Sequence, residues 1–136
     1  MATMKEAITA LQAKKEHTAP TVEVQHILIA HKDAGIPGVS RSLAEAEKLA
    51  EEVWGKAIAG GDFGALVKAH TNDSPPGIYG MVLNGPGDDR KNLYARKGMV
   101  AAFGDTGWRL AVGEIGVAPF DKVKSPYGWH IVKRLK

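Results

Sequence analysis

One stretch near the N-terminus, residues 22–31, constrains the fold of this 136-residue chain more than any other. Its β-branched and aliphatic residues predict a strand that begins after Pro20 and ends before a turn at residues 33–35. A strand points alternate side chains to opposite faces, so one face carries Val22, Val24, His26, Leu28 and Ala30. A histidine among apolar side chains needs a hydrogen-bond partner. The strand therefore predicts a second polar group, supplied by another part of the chain, beside His26.

Composition narrows the classes of protein that this chain can belong to. The length predicts one domain with a real core, and the net charge of +3 comes from interspersed basic and acidic residues. Because there is no cysteine, disulfides, zinc–thiolate sites and thiol nucleophiles are excluded. No apolar run is long enough to span a bilayer, and the first residues lack the apolar core of a signal peptide. We therefore expect a cytoplasmic protein, or else the excised domain of a larger exported protein.

The first 21 residues are predicted to form an extension, and residues 22–136 the folded domain. Met4, Ile8 and Leu11 are spaced to share one helical face, which indicates a short amphipathic helix or a frayed tail that ends before Pro20. In either form, we favour a loosely attached extension over a second functional unit.

The rest of the sequence predicts alternating helices and short strands. Ser42 and Glu45 form a capping box before a long helix that Gly60-Gly61 ends, and Asp62 caps a second helix. The remaining predicted elements are a strand over 78–83, a polar loop over 84–97, a helix over 99–110, an edge strand over 117–120 and a closing strand over 129–135. This order is typical of an α+β domain with helices packed on a small antiparallel sheet.

Simple catalytic and metal-binding motifs are missing from the sequence. His26 and His31 point to opposite faces of their strand and so cannot share a metal ion, and no H-E-x-x-H motif or acidic calcium loop is present. Gly85-Pro86-Gly87 lacks the ending of a phosphate-binding loop, and no serine is placed in a nucleophile elbow. We therefore expect no metal. Taken alone, His130 in the closing strand is more typical of a satisfied core histidine than of a catalyst.

Taken together, five short motifs resemble the parvulin family of peptidyl-prolyl cis/trans isomerases. In chain order they are Gln25-His26-Ile27-Leu28-Ile29, Gly60-Gly61-Asp62-Phe63-Gly64-Ala65-Leu66, Met99-Val100-Ala101-Ala102-Phe103, Val112-Gly113-Glu114-Ile115 and Tyr127-Gly128-Trp129-His130-Ile131-Val132-Lys133. Each motif is weak alone, and their shared order carries the resemblance, which runs from about residue 22 to residue 135.

The resemblance implies a fold and a set of site residues. The fold would be a four-stranded antiparallel sheet flanked by about four helices, with the first and last strands side by side. His26 and His130 would be hydrogen-bonded to each other and, with Asp73, would form the catalytic group. Met99, Phe103 and Tyr79 would bind substrate, Tyr79 at a position where the family usually has leucine. Ser125 would support the histidine pair.

The resemblance also implies a function. The chain would catalyse cis/trans exchange at Xaa-Pro bonds by noncovalent twisting in an apolar pocket, without a cofactor. Its partners would be proline-containing peptides and unfolded proteins, bound by a monomer. Lys32 and Arg41 flank a loop without adjacent arginines, so we expect no dependence on substrate phosphorylation. The alternatives are a peptide-binding or chaperone module of the same fold with little activity and, less favoured, association with nucleic acid through the basic surface.

Overall fold

A computed structural model describes residues 2–136 and places the predicted histidine strand at the centre of the sheet. Strand β1 (Thr21–Ala30) pairs antiparallel with β2 (Ile78–Val82) on one side and with β5 (Gly128–Arg134) on the other. Strand β4 (Ile115–Ala118) pairs with β5 and forms one edge of the sheet. The predictions that the first and last strands are neighbours, and that the strand near Pro119 lies at an edge, are therefore confirmed.

The other edge of the sheet corrects the predicted fold. The loop expected over residues 84–97 contains a fifth strand, β3 (Leu93–Ala95), which runs parallel to β2. The sheet is thus five-stranded and mixed, with the order β3-β2-β1-β5-β4, and not four-stranded and antiparallel. A three-residue strand whose partner is 13 positions away in the register carries no periodic signal of its own, and this explains the omission.

The two faces of the sheet carry two separate apolar clusters. Ile27 and Ile29 pack with α1 (Met4–Gln12), α2 (Leu43–Ile58) and α3 (Phe63–His70). On the opposite face Val22 and Val24 pack with Met81, Phe103, Trp108 and Val132. The alternation predicted for β1 is therefore observed, and His26 lies on the second face.

Local sequence signals begin and end the helices as expected. Ser42 and Glu45 form the predicted capping box of α2, and the Asp62 carboxylate accepts the Ala65 N–H at the start of α3. The fourth helix, α4 (Ala101–Gly107), is shorter than the predicted span of 99–110. The described part of the chain thus has four α-helices, as predicted, and none of them is long and apolar enough to cross a membrane.

The N-terminal segment packs closely on the rest of the protein. Met4 and Leu11 of α1 are buried, and the indole N–H of Trp108 donates to the Ala19 carbonyl at 2.9 Å. Arg96 donates to both carboxylate oxygens of Glu16, at 2.7 and 2.9 Å. These contacts connect the segment to α4 and to the turn before it, while the domain boundary at residues 21/22 stays a prediction.

Replacement of Leu11 by alanine tests how firmly α1 is attached. Because Leu11 is buried against the second cluster, we expect the free energy of unfolding to fall by about 2–4 kcal/mol, measured by urea denaturation. The control is Lys15→Ala at an exposed position, which should change it by less than about 0.5 kcal/mol. Equal effects of the two variants would mean that α1 is detached in solution.

Candidate active site

Two buried histidines meet across the central strand pair. In the register His130 lies opposite Leu28 and His26 opposite Val132, so the two histidines are diagonal neighbours on one face of the sheet. Their Nδ1 atoms are 3.2 Å apart, and the two residues are 1% and 3% exposed. This contact supplies the hydrogen-bond partner that the sequence demanded for His26.

Asp73 reaches the other side of the His26 ring. It follows α3 in a turn in which the Thr71 hydroxyl accepts the N–H groups of Leu28 and Asp73. The Oδ2 atom of Asp73 lies 2.9 Å from His26 Nε2 and accepts a hydrogen bond from the Tyr79 hydroxyl, also at 2.9 Å. Asp73, His26 and His130 therefore form one hydrogen-bonded chain, and Tyr79 donates into its outer end.

The carboxylate fixes the tautomer of a neutral His26 and, through it, the tautomer of His130. An ionised carboxylate only accepts hydrogen bonds, so Nε2 of a neutral His26 must carry its proton and Nδ1 must be the acceptor. His130 then donates through its own Nδ1, which leaves His130 Nε2 as a bare acceptor. Within residues 2–136, His130 Nε2 is the buried side-chain atom that has no hydrogen-bond partner. The assignment is self-consistent, because a bare nitrogen lone pair is easier to leave unpaired than an N–H.

The environment shifts three pKa values at this site. The hydrogen bond from His26 holds the pKa of Asp73 well below its usual range, so the carboxyl is ionised. Burial, and then the neighbouring His26, lowers the pKa of His130 to about 3. Burial, and then the bond to Asp73, raises the pKa of Tyr79 to about 12. At neutral pH the site thus contains one carboxylate, a neutral phenol and a neutral His130.

A groove of about 440 Å³ opens above this chain of hydrogen bonds. The three predicted substrate-binding residues, Met99, Phe103 and Tyr79, all line it, together with His26, Asp73 and His130. The Phe103 ring packs edge-on against His26, with ring centroids 4.7 Å apart. The rings of Phe103 and His130 are 5.1 Å apart. The sequence-predicted catalytic and binding residues are therefore brought together in one cleft, and the roles assigned to them stay predictions.

Ser125 lies outside this hydrogen-bonded chain. Its buried hydroxyl donates to the Pro119 carbonyl, and among the described residues it makes no hydrogen bond with either histidine. The role of Ser125 in supporting the histidine pair thus stays a prediction without a direct contact behind it.

Sequence reasoning missed several residues of the groove. They are Leu28, Ile36, Asn72, Gly98, Val100 and Tyr127. Tyr127 lies in the last of the five motifs and is 42% exposed, and such exposure cannot be read from the sequence. Within residues 2–136 no group of three or more potential metal ligands is present.

Comparisons with known proteins identify the family of this chain. A family model described as the PPIC-type PPIase domain matches residues 7–136. The chain is 33% identical over 121 residues to Foldase protein PrsA 4 of Bacillus cereus, which covers 88% of this chain and 33% of that protein. It is 34% identical over 114 residues to Chaperone SurA of Pseudomonas fluorescens, with 84% and 22% covered. The chain thus spans a third or less of the length of these two relatives.

A solved structure shares the fold. Peptidyl-prolyl isomerase ESS1 from Candida albicans aligns with a TM-score of 0.61 over 90% of this chain and 66% of that chain. The sequence identity is 18%, so this likeness shows the fold alone.

The lowered pKa of His130 predicts acid sensitivity. The folded-state pKa lies below the ordinary 6.5, so the stabilisation is present above pH 6.5 and is lost as the pH falls towards about 3. We expect the free energy of unfolding, measured by urea denaturation, to fall by up to about 1.4 kcal/mol per pH unit in that window. His130→Asn should remove the His130 part of this slope, most clearly between pH 6.5 and 4.5, above the range in which carboxylates such as Glu16 begin to protonate. The ionised Asp73 also contributes to the free energy of unfolding, and this contribution is lost only below pH 3.8, the ordinary pKa of the group. An unchanged slope in His130→Asn would contradict the assignment.

Proposed function

Because this chain belongs to the family of PPIC-type peptidyl-prolyl isomerase domains, as its parvulin-like motifs predicted, we propose that it catalyses cis/trans exchange at Xaa-Pro bonds of peptides and unfolded proteins. The observation that carries the proposal is the apolar groove of Met99 and Phe103 placed directly against the Asp73–His26–His130 chain. Such a site can bind a proline ring by shape and can place a fixed charge beside the peptide bond. Isomerisation breaks no covalent bond, so it requires neither a nucleophile nor a cofactor.

The reaction sets its own requirements. Rotation about a peptide bond crosses about 18–20 kcal/mol because conjugation between nitrogen and carbonyl is lost midway. A site lowers this barrier when it binds the twisted amide better than either planar form. In our proposal Met99 and Phe103 hold the proline ring, while Asp73 and the histidine pair set the field around the rotating amide by noncovalent contacts. That Asp73 and the two histidines each lower the rotation barrier is part of this proposal.

The charges of the groove support substrates without phosphate. Within residues 2–136 neither a lysine nor an arginine lines the groove, and the ionised Asp73 would repel an anionic group. Lys32 is exposed, and Arg41 uses its guanidinium to donate to the Ala30 carbonyl and to Asn72. The bidentate capture of a phosphate would require Arg41 to leave these partners.

A second candidate is a peptide-binding or chaperone module of the same fold with little isomerase activity. The names of the relatives, a foldase and a chaperone, favour this alternative, and the same groove would serve it. The predicted cytoplasmic location gains no support from these relatives, whereas a domain of a larger exported protein remains our alternative proposal. We also propose that the protein is a monomer and that it does not bind nucleic acid.

Truncation of the groove wall separates the enzyme from the binding module. We expect Phe103→Ala and Met99→Ala to reduce catalysed exchange of an Xaa-Pro peptide, measured by NMR exchange spectroscopy, about tenfold for each 1.4 kcal/mol of lost transition-state binding. The matched control is Val123→Ala, because Val123 is 85% exposed and lies outside the groove. Circular dichroism checks folding, since Phe103 is buried and Met99 is half-buried. Binding shifts without accelerated exchange in the wild-type protein would favour the module.

A matched peptide pair tests phosphate independence. Peptides that contain Ser-Pro and phosphoserine-Pro should give kcat/KM values that differ by less than about tenfold, with the plain peptide preferred because Asp73 is ionised. The same NMR exchange measurement serves, repeated with Lys32→Ala. A strong preference for the phosphopeptide that disappears in Lys32→Ala would overturn the proposal.

A further inference from the structure

Asn72 lines the groove beside Asp73, and its orientation is fixed by three hydrogen bonds. Its backbone N–H donates to the Leu28 carbonyl at 2.8 Å. Its side-chain Oδ1 atom accepts from the Ala30 N–H at 2.9 Å and from Arg41 Nη1 at 2.8 Å. The two partners of this atom are both donors, so it must be the oxygen, and the opposite atom must be the nitrogen.

The amide nitrogen of Asn72 is left free by this arrangement. Within residues 2–136, Nδ2 has no hydrogen-bond partner, and it is not among the fully buried unpaired atoms, so it keeps contact with solvent. Apart from the Tyr127 hydroxyl, the other side-chain donors of the cleft are already used. The Tyr79 hydroxyl and His26 Nε2 both bond to Asp73, and His130 Nδ1 faces His26. Asn72 therefore presents a spare N–H donor on a groove wall whose charged group, Asp73, can only accept.

We propose that the Asn72 side-chain amide donates a hydrogen bond to the carbonyl oxygen of the residue before proline, and that Arg41 is the positioning residue for this amide. A carbonyl oxygen is the partner that a free N–H recognises, and Asp73 alone would repel it. A donor held in place by existing bonds costs little reorganisation when substrate binds. Arg41 thereby acts on the substrate through Asn72. This inference rests on the proposed isomerase function.

Tyr127 is the competing donor, and the structure ranks it second. Its side chain is 42% exposed, and its hydroxyl has no partner among the described residues, so nothing fixes its direction. Tyr127→Phe removes this hydroxyl with little other change and serves as the comparison.

The test pairs a residue change with a change of one substrate atom. Asn72→Asp keeps an oxygen towards Ala30 and Arg41 and replaces the free N–H₂ by an oxygen. The substrates are an Xaa-Pro peptide and its thioxo analogue, in which sulfur, a weaker acceptor, replaces the carbonyl oxygen before proline. Each catalysed rate is divided by the uncatalysed rate of the same peptide.

We expect wild-type protein to favour the oxo peptide over the thioxo peptide by about tenfold in kcat/KM, the value of one good hydrogen bond. In Asn72→Asp this ratio should collapse towards one, because the donor is absent. A general effect of the new charge slows both peptides alike and leaves the ratio unchanged. Asn84→Asp, at an exposed position outside the groove, should keep the wild-type ratio.

Arg41 variants test the positioning role. Arg41→Ala should lower the oxo/thioxo ratio, and Arg41→Lys, which can still donate to Asn72, should restore part of it. A change in folding stability alone would not move this ratio. An unchanged ratio in Asn72→Asp, or a ratio that collapses in Tyr127→Phe instead, would overturn the proposal.

A readout without catalysis distinguishes this inference from the proposed function. The Asn72 side-chain ¹⁵NH₂ signals, assigned by their loss in Asn72→Asp, should shift when an Xaa-Pro peptide binds. If the wild-type protein does not accelerate exchange, the proposed function fails, while a shift of these signals still supports the contact. Peptide binding that shifts backbone signals of the groove but not the Asn72 side-chain signals would contradict this inference, whether or not the protein catalyses exchange.

Discussion

The bond between His26 and its two partners is the interaction on which the site depends. Burying a histidine on the apolar face of a central strand costs less when its ring nitrogens are hydrogen-bonded, and for His26 both are, to Asp73 and to His130. Asp73 comes from the turn after α3 and His130 from β5, so the bond joins parts of the chain that are far apart in sequence. The same contacts that make the buried histidine acceptable also place one carboxylate at the floor of an apolar groove.

The sequence predicted the parts of the fold that local chemistry determines. The alternation in β1, the Ser42 capping box and the Asp62 cap all act over a few residues, and all are observed. The family assignment, confirmed over residues 7–136, came from the order of weak motifs and not from any one of them. Strand β3 was missed because three residues in a polar loop have no detectable period, and pairing with β2 decides their conformation.

At the candidate site, too, some residues were predicted from the sequence and others depend on contacts between distant parts of the chain. His26, Asp73, His130, Met99, Phe103 and Tyr79 were named from the resemblance, and the fold brings them into one cleft. Asn72 gave no signal, since an asparagine in a turn is expected for backbone reasons alone. Its orientation depends on Arg41, 31 positions away, a distance over which single-sequence patterns carry no information. In the sequence Arg41 was considered only as a possible phosphate ligand, whereas in the structure it is half-buried and hydrogen-bonded.

The ionic contacts of Arg96 link the groove to a part of the chain far from it. Arg96 bonds to Glu16 and also to Asp105 of α4, the helix that carries Phe103, and it stacks 4.9 Å from the Trp108 ring centroid. Linkage is reciprocal: any ligand that favours the observed position of α4 must tighten the hold on residue 16 by the same free energy. A groove ligand of that kind would therefore also order the N-terminal segment, and loss of the Glu16 contacts would weaken its binding.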